Sequence, residues 1–322
     1  MVQLAFLDAV DPRIKDEIAR LLPTDWTVSC TESEEREARE RAAGAADVAM
    51  IIGSGVDRQL LQAAPRLRFV QKLGAGVDNV DANACRARRV GIARLQAGNA
   101  PQVAEHTLML MLAALRQLPY FDRQTRAGNW RRPEGRAVQR QLAGKIVGIV
   151  GLGAIGREVA RRLVGFDVDV VYYDIARPSS EVEKDLQVRY CEFEVLMRCS
   201  DVVSLHVPLT AQTRSMLDAE RIAMLKPGAT IINCARGGLI DEAALDHALE
   251  CNRVLAAGLD TFDVEPTYSS PLYLRDNVVV TPHLAGATLE NFVNVFHRGV
   301  RNIELYLEGR QLPEGELVLG PF

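Results

Sequence analysis

Three side chains with complementary chemistry stand where apolar, strand-like runs end. Arg236 lies in Asn233-Cys234-Ala235-Arg236-Gly237-Gly238, Glu265 in Thr261-Phe262-Asp263-Val264-Glu265-Pro266, and His283 in Thr281-Pro282-His283-Leu284-Ala285-Gly286. A guanidinium fork grips a carboxylate through two parallel N–H bonds. An imidazole gives or takes a proton near neutral pH. A carboxylate beside that imidazole holds it and favours its charged form. Reduction of a 2-keto acid by hydride demands these three things: a fixed substrate carboxylate, a proton for the carbonyl oxygen, and a held donor. Each residue has a plainer reading, respectively a surface ion pair, ordinary loop chemistry before Pro266, and a hydrogen-bonded loop histidine. Their conjunction beyond the ends of successive strands, where ligands bind in open α/β sheets, favours the chemical reading.

The source of hydride is legible upstream. Gly151-Leu152-Gly153-Ala154-Ile155-Gly156 follows the apolar run Ile146–Val150 and opens a helical pattern with Ile155, Val159 and Leu163 at i, i+4 and i+8. In that setting the glycines permit a tight turn, a close backbone approach to a pyrophosphate and close helix–strand packing, with the phosphates on a helix N-terminus. Asp174 ends the next candidate strand, 23 residues after Gly151. A carboxylate there accepts from a ribose 2′-hydroxyl and repels a 2′-phosphate, which favours NAD over NADP. The competing reading of Asp174 is a turn cap, and Arg177 is a nearby cation that would suit NADP. Of the remaining histidines, His106, His247 and His297 fall in helical patterns and read as structural or surface residues. His206 follows a strand and takes a cofactor-side position without assigned chemistry.

These residues need a scaffold that brings strand ends together. Candidate strands at 146–150, 168–173, 202–205, 230–232, 254–259 and 278–280 alternate with helical stretches, which predicts a doubly wound parallel sheet. The N-terminal third repeats the alternation, with strands at 4–7, 47–52 and 67–73 and helices at 13–22 and 58–64. Between the two series runs 100–118, apolar almost all round, which marks a buried helix at a domain boundary and a candidate dimer surface. The polar, basic stretch 123–140 reads as irregular. The chain has 322 residues, enough for two domains, with 48% apolar and 25% charged residues. A net charge of −4 supplies no field for nucleic acid or a membrane surface. The longest apolar run, 108–115, is too short to span a bilayer. Six scattered cysteines form no C-x-x-C pair and no metal-ligand pattern. With no leader-like segment, a cytoplasmic protein with free thiols is expected, without a metal.

The sequence resembles the D-isomer-specific 2-hydroxyacid dehydrogenase family. The resemblance rests on 144–156, on Asp201-Val202-Val203-Ser204-Leu205-His206-Val207-Pro208-Leu209-Thr210, on the Arg236, Glu265 and His283 motifs, and upstream on Gly74-Ala75-Gly76-Val77-Asp78-Asn79-Val80-Asp81 and Asn99-Ala100-Pro101-Gln102-Val103-Ala104-Glu105. It implies a Rossmann-type NAD-binding domain over 99–288. It also implies a discontinuous, flavodoxin-like substrate domain made of 1–98 and 289–322, closed by a last helix at about 289–308, with hinges near Asn99 and Thr288. The resemblance adds the backbone N–H groups of Ala75 and Gly76 as carboxylate donors. It places Gly151, Gly153, Ala154, Ile155, Gly156, Asp174, Val207, Pro208, Thr213, Cys234, Ala235, Arg236, Asp260, His283 and Gly286 along the cofactor, and it implies a homodimer through the cofactor domain.

Departures narrow the substrate. Phosphoglycerate dehydrogenases of the family tend to carry Arg in the loop after the third strand. Here that loop reads Ile52-Gly53-Ser54-Gly55. A phosphate-bearing substrate is disfavoured unless Arg58 or Lys72 serves instead. Formate is disfavoured because the formate enzymes carry Gln where Glu265 stands. The expectation is a small 2-keto acid such as glyoxylate or hydroxypyruvate, or the matching D-2-hydroxy acid. The chain ends soon after the closing helix, so no C-terminal regulatory domain is expected. A reading of another class is an NAD(H)-sensing interaction protein like the C-terminal-binding corepressors, which share the three residues; no low-complexity tail supports it.

Overall fold

The computed structural model describes residues 1–96 and 98–321; Ala97 and Phe322, both within the expected substrate-domain ranges, lie outside the described residues. The chain forms two compact units, 1–99 with 288–322, and 100–287.

The first unit carries β1 (Val2–Phe6), α1 (Pro12–Leu21), β2 (Trp26–Cys30), α2 (Arg36–Ala43), β3 (Val48–Ile51), α3 (Arg58–Ala63), β4 (Phe69–Lys72), α4 (Ala82–Ala87) and β5 (Gly91–Ala93). Its sheet runs β2-β1-β3-β4-β5, all parallel, a flavodoxin-like order. β3 and β4 are buried along their whole length, as a parallel strand covered on both faces must be. Asp11 caps α1 by accepting the Arg13 N–H, and Pro12 opens the helix where a missing N–H costs nothing. The strand β2 alternates half-buried and exposed residues at the sheet edge, and its Thr27 and Ser29 hide it from a search for apolar runs.

The second unit begins with α5 (Ala100–Leu115), α6 (Leu118–Arg126) and α7 (Arg132–Val138). It continues through β6 (Ile146–Val150), α8 (Ala154–Leu163), β7 (Asp169–Tyr173), α9 (Ser180–Leu186), β8 (Val188–Tyr190), α10 (Phe193–Cys199) and β9 (Val202–Leu205), then α11 (Ala219–Met224), β10 (Ala229–Asn233), α12 (Glu242–Glu250), β11 (Val254–Leu259) and β12 (Val278–Val280). The chain then returns to the first unit as α13 (Leu289–Leu307) and β13 (Leu317–Leu319), the latter pairing antiparallel with β5. The sheet of the second unit is seven-stranded and parallel, in the order β12-β11-β10-β9-β6-β7-β8. The expected six strands are present. β8, three residues long at the sheet edge, is the addition.

One expectation changes. The stretch 123–140 is not irregular: α6 and α7 occupy most of it. Both open on a proline in the first turn, and neither fully buries a residue. Their support is polar, through an Arg126–Asp122 pair at 2.8 Å and a Tyr120 hydroxyl donating to Glu134 at 2.8 Å, so apolar periodicity could not reveal them. The helix α5 buries most of its apolar surface in its own unit, against α8, β10 and β11, in one cluster with Leu110, Met111, Val147, Val159 and Ile232. Only Met109 and Leu112 are left exposed among its large apolar side chains.

Topology brings the glycine loop to its place. The chain winds outward through β6, β7 and β8, then returns to lay β9 beside β6, so the loops after β6 and β9 meet at the point where strand order reverses. Gly151 adopts φ +96°, and a Cβ there would sit 2.7 Å from the His206 carbonyl oxygen. Close packing of α8 on this turn is equally strict, since a Cβ on Gly156 would lie 2.1 Å from the Gly151 carbonyl oxygen. Gly156→Ala is therefore expected to lower stability by about 2 kcal/mol, the cost of an overpacked backbone contact. Urea denaturation followed by circular dichroism measures it; a midpoint equal to the parent's would show that α8 can shift outward without cost.

Candidate active site

The residues singled out in the second unit follow carboxyl ends of its parallel strands. Gly151 follows β6, Asp174 follows β7, Val207 and Pro208 follow β9, Cys234 to Arg236 follow β10, Asp260 follows β11, and His283 follows β12. Their shared edge is a consequence of parallel strands joined by crossovers, which put all C-terminal loops on one side.

The glycine loop fits a dinucleotide pyrophosphate. Gly153 is the N-cap of α8 and makes no side-chain cap, so the first-turn N–H groups have no capping oxygen from that residue. A Cβ on Gly153 would meet no atom within 4 Å, so there is open space where phosphates would lie against the positive end of the helix. Asp174 does cap, as the competing reading held: it accepts the Leu152 N–H at 2.7 Å and the Ala176 N–H at 2.9 Å. The carboxylate is thereby fastened to the glycine loop itself. Arg177 is gripped by both oxygens of Glu183, at 2.7 and 3.0 Å, and lies 4.9 Å over the Tyr190 ring. Glu183 in turn accepts from the Tyr172 hydroxyl at 2.5 Å. The Arg177 and Tyr172 hydrogen bonds hold its carboxyl down at about 2. The cation that would suit a 2′-phosphate is thus already paired.

Further along the edge, the Thr213 hydroxyl donates to the Pro208 carbonyl at 2.7 Å and closes the turn after β9. Cys234 is buried, and burial pushes its thiol up to about 12, so it meets its surroundings as a neutral side chain. Asn233 folds the next loop by donating to the Arg236 carbonyl at 2.8 Å and accepting the Ala235 N–H at 3.0 Å. Arg236 is half-buried, with one guanidinium nitrogen donating to the Ala235 carbonyl at 2.7 Å. Behind it Gly237 touches the neighbouring loop so closely that a Cβ would lie 1.8 Å from the Phe262 carbonyl carbon. That contact sets the Arg236 loop against the segment carrying Glu265.

Glu265 and His283 are in direct contact. His283 Nδ1 stands 2.6 Å from Glu265 Oε2, while Oε1 accepts the Phe262 N–H at 2.8 Å. A carboxylate held at one oxygen by backbone leaves the other to accept Nδ1–H, so Nε2 is the ring nitrogen available to exchange a proton. His283 has φ +54°, an uncommon conformation for a residue with a side chain, and its N–H donates to the Asp260 carbonyl at 2.7 Å. Both side chains are partly open, at 46% and 34% exposure, so a substrate can reach them. His206 offers a contrast. Its Nε2 is 2.8 Å from the Ser204 hydroxyl, and burial pushes the ring down to about 4, so it is neutral near pH 7 and is no source of a proton there.

Asp260 has no exposure at all. Burial pulls its carboxyl upward, but hydrogen bonds from His106, Thr281 and the Ala285 and Leu284 N–H groups outweigh it and hold the group below the usual carboxylate range. Sequence reading passed over Thr281, and it left His106 as a structural or surface residue. Only folding brings His106 to Thr281, 175 positions away, so no spacing could have flagged the pair. In the first unit, Ala75 is exposed and Gly76 half-buried in the loop after β4. Asp8 accepts the Ile52, Gly53 and Ser54 N–H groups at 2.5, 2.5 and 2.7 Å, which occupies three backbone donors of the loop that lacks arginine. Lys72, also buried, donates its amino group to the Ile52 carbonyl.

A doubly wound parallel sheet with a glycine-rich turn at its switch point and an acid–imidazole pair on the same edge defines a nicotinamide-dinucleotide dehydrogenase architecture. Residues 108–285 match the model of the D-isomer specific 2-hydroxyacid dehydrogenase NAD binding domain, and the chain belongs to that family. A hydroxypyruvate reductase of Thermotoga maritima is 35% identical over 87% of this chain and 91% of its own length. A D-3-phosphoglycerate dehydrogenase of Mycobacterium tuberculosis is 40% identical over 82% of this chain and 50% of its own. The chain spans about half the length of the phosphoglycerate dehydrogenases it matches. Among solved structures, D-lactate dehydrogenase from Aquifex aeolicus complexed with NAD and lactic acid superposes with a TM-score of 0.83 at 25% identity, over 99% of this chain and all of that one. The matched model is that of an NAD-binding domain, in keeping with the cofactor expected from the glycine loop.

Fluorescence titration is expected to show tighter binding of NADH than of NADPH. Asp174→Ser, which removes the repelling charge, is expected to narrow that gap by about tenfold or more, since unit charges about 4 Å apart at a protein surface interact by about 1 to 4 kcal/mol. An unchanged ratio would mean that the 2′ position is read elsewhere.

Proposed function

We propose that the protein transfers hydride between NAD(H) and the α-carbon of a small 2-keto or D-2-hydroxy acid, of the size of glyoxylate or hydroxypyruvate. The observation that carries this reading is the 2.6 Å contact of His283 with Glu265 on the same sheet edge as the dinucleotide cradle. Bound NADH supplies the hydride. His283 gives the carbonyl oxygen its proton from Nε2 while Glu265 holds Nδ1–H and fixes the ring. In the reverse direction His283 takes the hydroxyl proton. Arg236 binds the substrate carboxylate through its guanidinium, and the N–H groups of Ala75 and Gly76 are further carboxylate donors. Gly151, Gly153, Ala154, Ile155 and Gly156 take the pyrophosphate, Asp174 the ribose, and Val207, Pro208, Thr213, Cys234, Ala235, Asp260 and Gly286 line the rest of the cofactor. Unit 100–287 serves as the NAD-binding domain and the other unit as the substrate domain.

The protein works as a homodimer through the cofactor domain, a reading supported by exposed Met109, Leu112 and Trp130 on or beside α5 to α7. A cytoplasmic location is supported by six free cysteines, and no helix among the described residues is long and apolar enough to cross a membrane. A second substrate reading is 3-phosphoglycerate, favoured by the name of the relative at 40% identity.

Loss of NADH absorbance with glyoxylate, hydroxypyruvate, pyruvate, phenylpyruvate and 3-phosphohydroxypyruvate tests the reading. Turnover is expected with the small unphosphorylated acids; fastest turnover with the phosphorylated one would select the second substrate reading, and silence with all five while NADH binds would sink the activity. His283→Ala is expected to lower kcat by roughly 10²- to 10⁴-fold, the usual contribution of general acid–base catalysis, with NADH affinity nearly unchanged. Arg236→Ala is expected to raise KM for the keto acid by about 10- to 100-fold, as loss of charge-assisted hydrogen bonds implies. Arg236→Lys should not restore it, because the fork is gone; recovery by lysine would reduce the role to bare charge.

A further inference from the structure

We propose that His106 is a positioning residue for this reaction: from α5 it holds the Thr281 hydroxyl, and through it the Asp260 carboxylate that anchors the loop presenting His283. The proposal rests on the activity proposed above.

Thr281 Oγ1 lies 2.5 Å from Asp260 Oδ1. An ionised carboxylate only accepts, so the hydroxyl spends its single hydrogen there. A hydroxyl that has donated can still accept, and His106 Nε2 stands 2.9 Å from it. Nε2 must then carry hydrogen and point it at Thr281. The same nitrogen is 3.5 Å from Asp260 Oδ1, with the imidazole side chain only 15% exposed and the carboxylate not exposed at all.

The same carboxylate also holds the loop that carries His283. Oδ1 also accepts the Leu284 N–H at 2.8 Å, and Oδ2 accepts the Ala285 N–H at 2.9 Å. The Asp260 carbonyl accepts the His283 N–H at 2.7 Å. Three successive amides, 283 to 285, thus hang on one buried residue. His283 itself is in the left-handed region, at φ +54°, where a side chain is held only if its surroundings over-determine it. Without the His106 N–H, Thr281 is left with an unmatched buried lone pair and can turn, the carboxylate loses a fixed donor, and the loop loses its reference. A displacement of the proton donor by a fraction of an ångström costs rate rather than fold.

The test compares His106→Leu with His106→Gln, whose amide nitrogen can donate to the same hydroxyl. Steady-state kinetics with NADH and the best keto acid are read beside melting temperature. His106→Leu is expected to lower kcat roughly 10- to 100-fold, in line with small misplacement of a reacting group, with the keto-acid KM little changed. His106→Gln is expected to recover most of that loss. The double variant His106→Leu/Thr281→Val should be no slower than Thr281→Val alone, because both changes cut one chain of contacts. Parental kcat in His106→Leu, equal losses in Leu and Gln, or multiplicative losses in the double variant would each overturn the proposal. If His106→Leu does not fold, His106→Asn replaces it: its amide is too short to reach Thr281, so lowered kcat supports the role and parental kcat refutes it. A parent protein inactive on every keto acid would sink the activity itself, whereas an active parent beside an unimpaired His106→Leu sinks this inference alone.

Discussion

A carboxylate with no exposure to water is costly unless every lone pair finds a donor. Asp260 is such a group, and the local architecture of the second unit can be understood as the means of supplying its donors. α5 supplies His106, the residue after β12 supplies Thr281, and the loop beyond supplies two amides. Because these come from three segments, satisfying one charge brings a helix, a strand end and a catalytic loop into register. The left-handed backbone of His283 is fastened to the same residue, through its N–H bond to the Asp260 carbonyl. A partly satisfied network would be worse than an apolar core, so the arrangement is tight or it is not there.

The same edge of the sheet carries a second constraint, close backbone approach. Gly151 meets the His206 carbonyl, and Gly237 meets the Phe262 carbonyl, at distances no side chain could share. The first contact joins the loops after β6 and β9, where a dinucleotide straddles the reversal of strand order. The second joins the loops after β10 and β11, so Arg236 and Glu265 are presented from adjacent positions. Both glycines work by having nothing there, and each couples one functional loop to the next through main chain, which moves less than side chains do.

Much of this was legible in the sequence for a definable reason. Buried parallel strands are continuous apolar runs, and ligands of open α/β sheets bind beyond their ends, so strand ends pointed to Gly151, Asp174, Arg236 and His283, while Asp260 came from the resemblance alone. Glycine spacing then fixed the meaning of the first loop. What escaped was whatever does not show as apolar periodicity. The edge strand β2 is half polar, β8 is three residues long, and α6 and α7 are held by polar pairs. His106 escaped for a different reason. On its helix it is one polar residue in an apolar run, and only the third dimension joins it to Thr281.

Two histidines near the strand ends show how environment divides identical side chains into different roles. His206 follows β9 and has its Nε2 on a serine hydroxyl, and burial lowers its pKa to about 4, so it stays an uncharged ring beside the cradle. His283 follows β12, is nearly half exposed, and has a carboxylate at Nδ1. A ring that is neutral and hydrogen-bonded can pack and accept; a ring oriented by a carboxylate and open to solvent can exchange protons with a bound molecule. The sequence places both histidines one to three positions beyond a strand, so position alone does not separate them. The separation comes from Glu265, which reaches His283 because the loop after β11 bends back to give the Phe262 N–H to the other oxygen of that carboxylate. An acidic residue five positions past Asp260 is therefore what gives one of two similarly placed histidines a carboxylate partner, the feature on which its proposed role as proton donor rests.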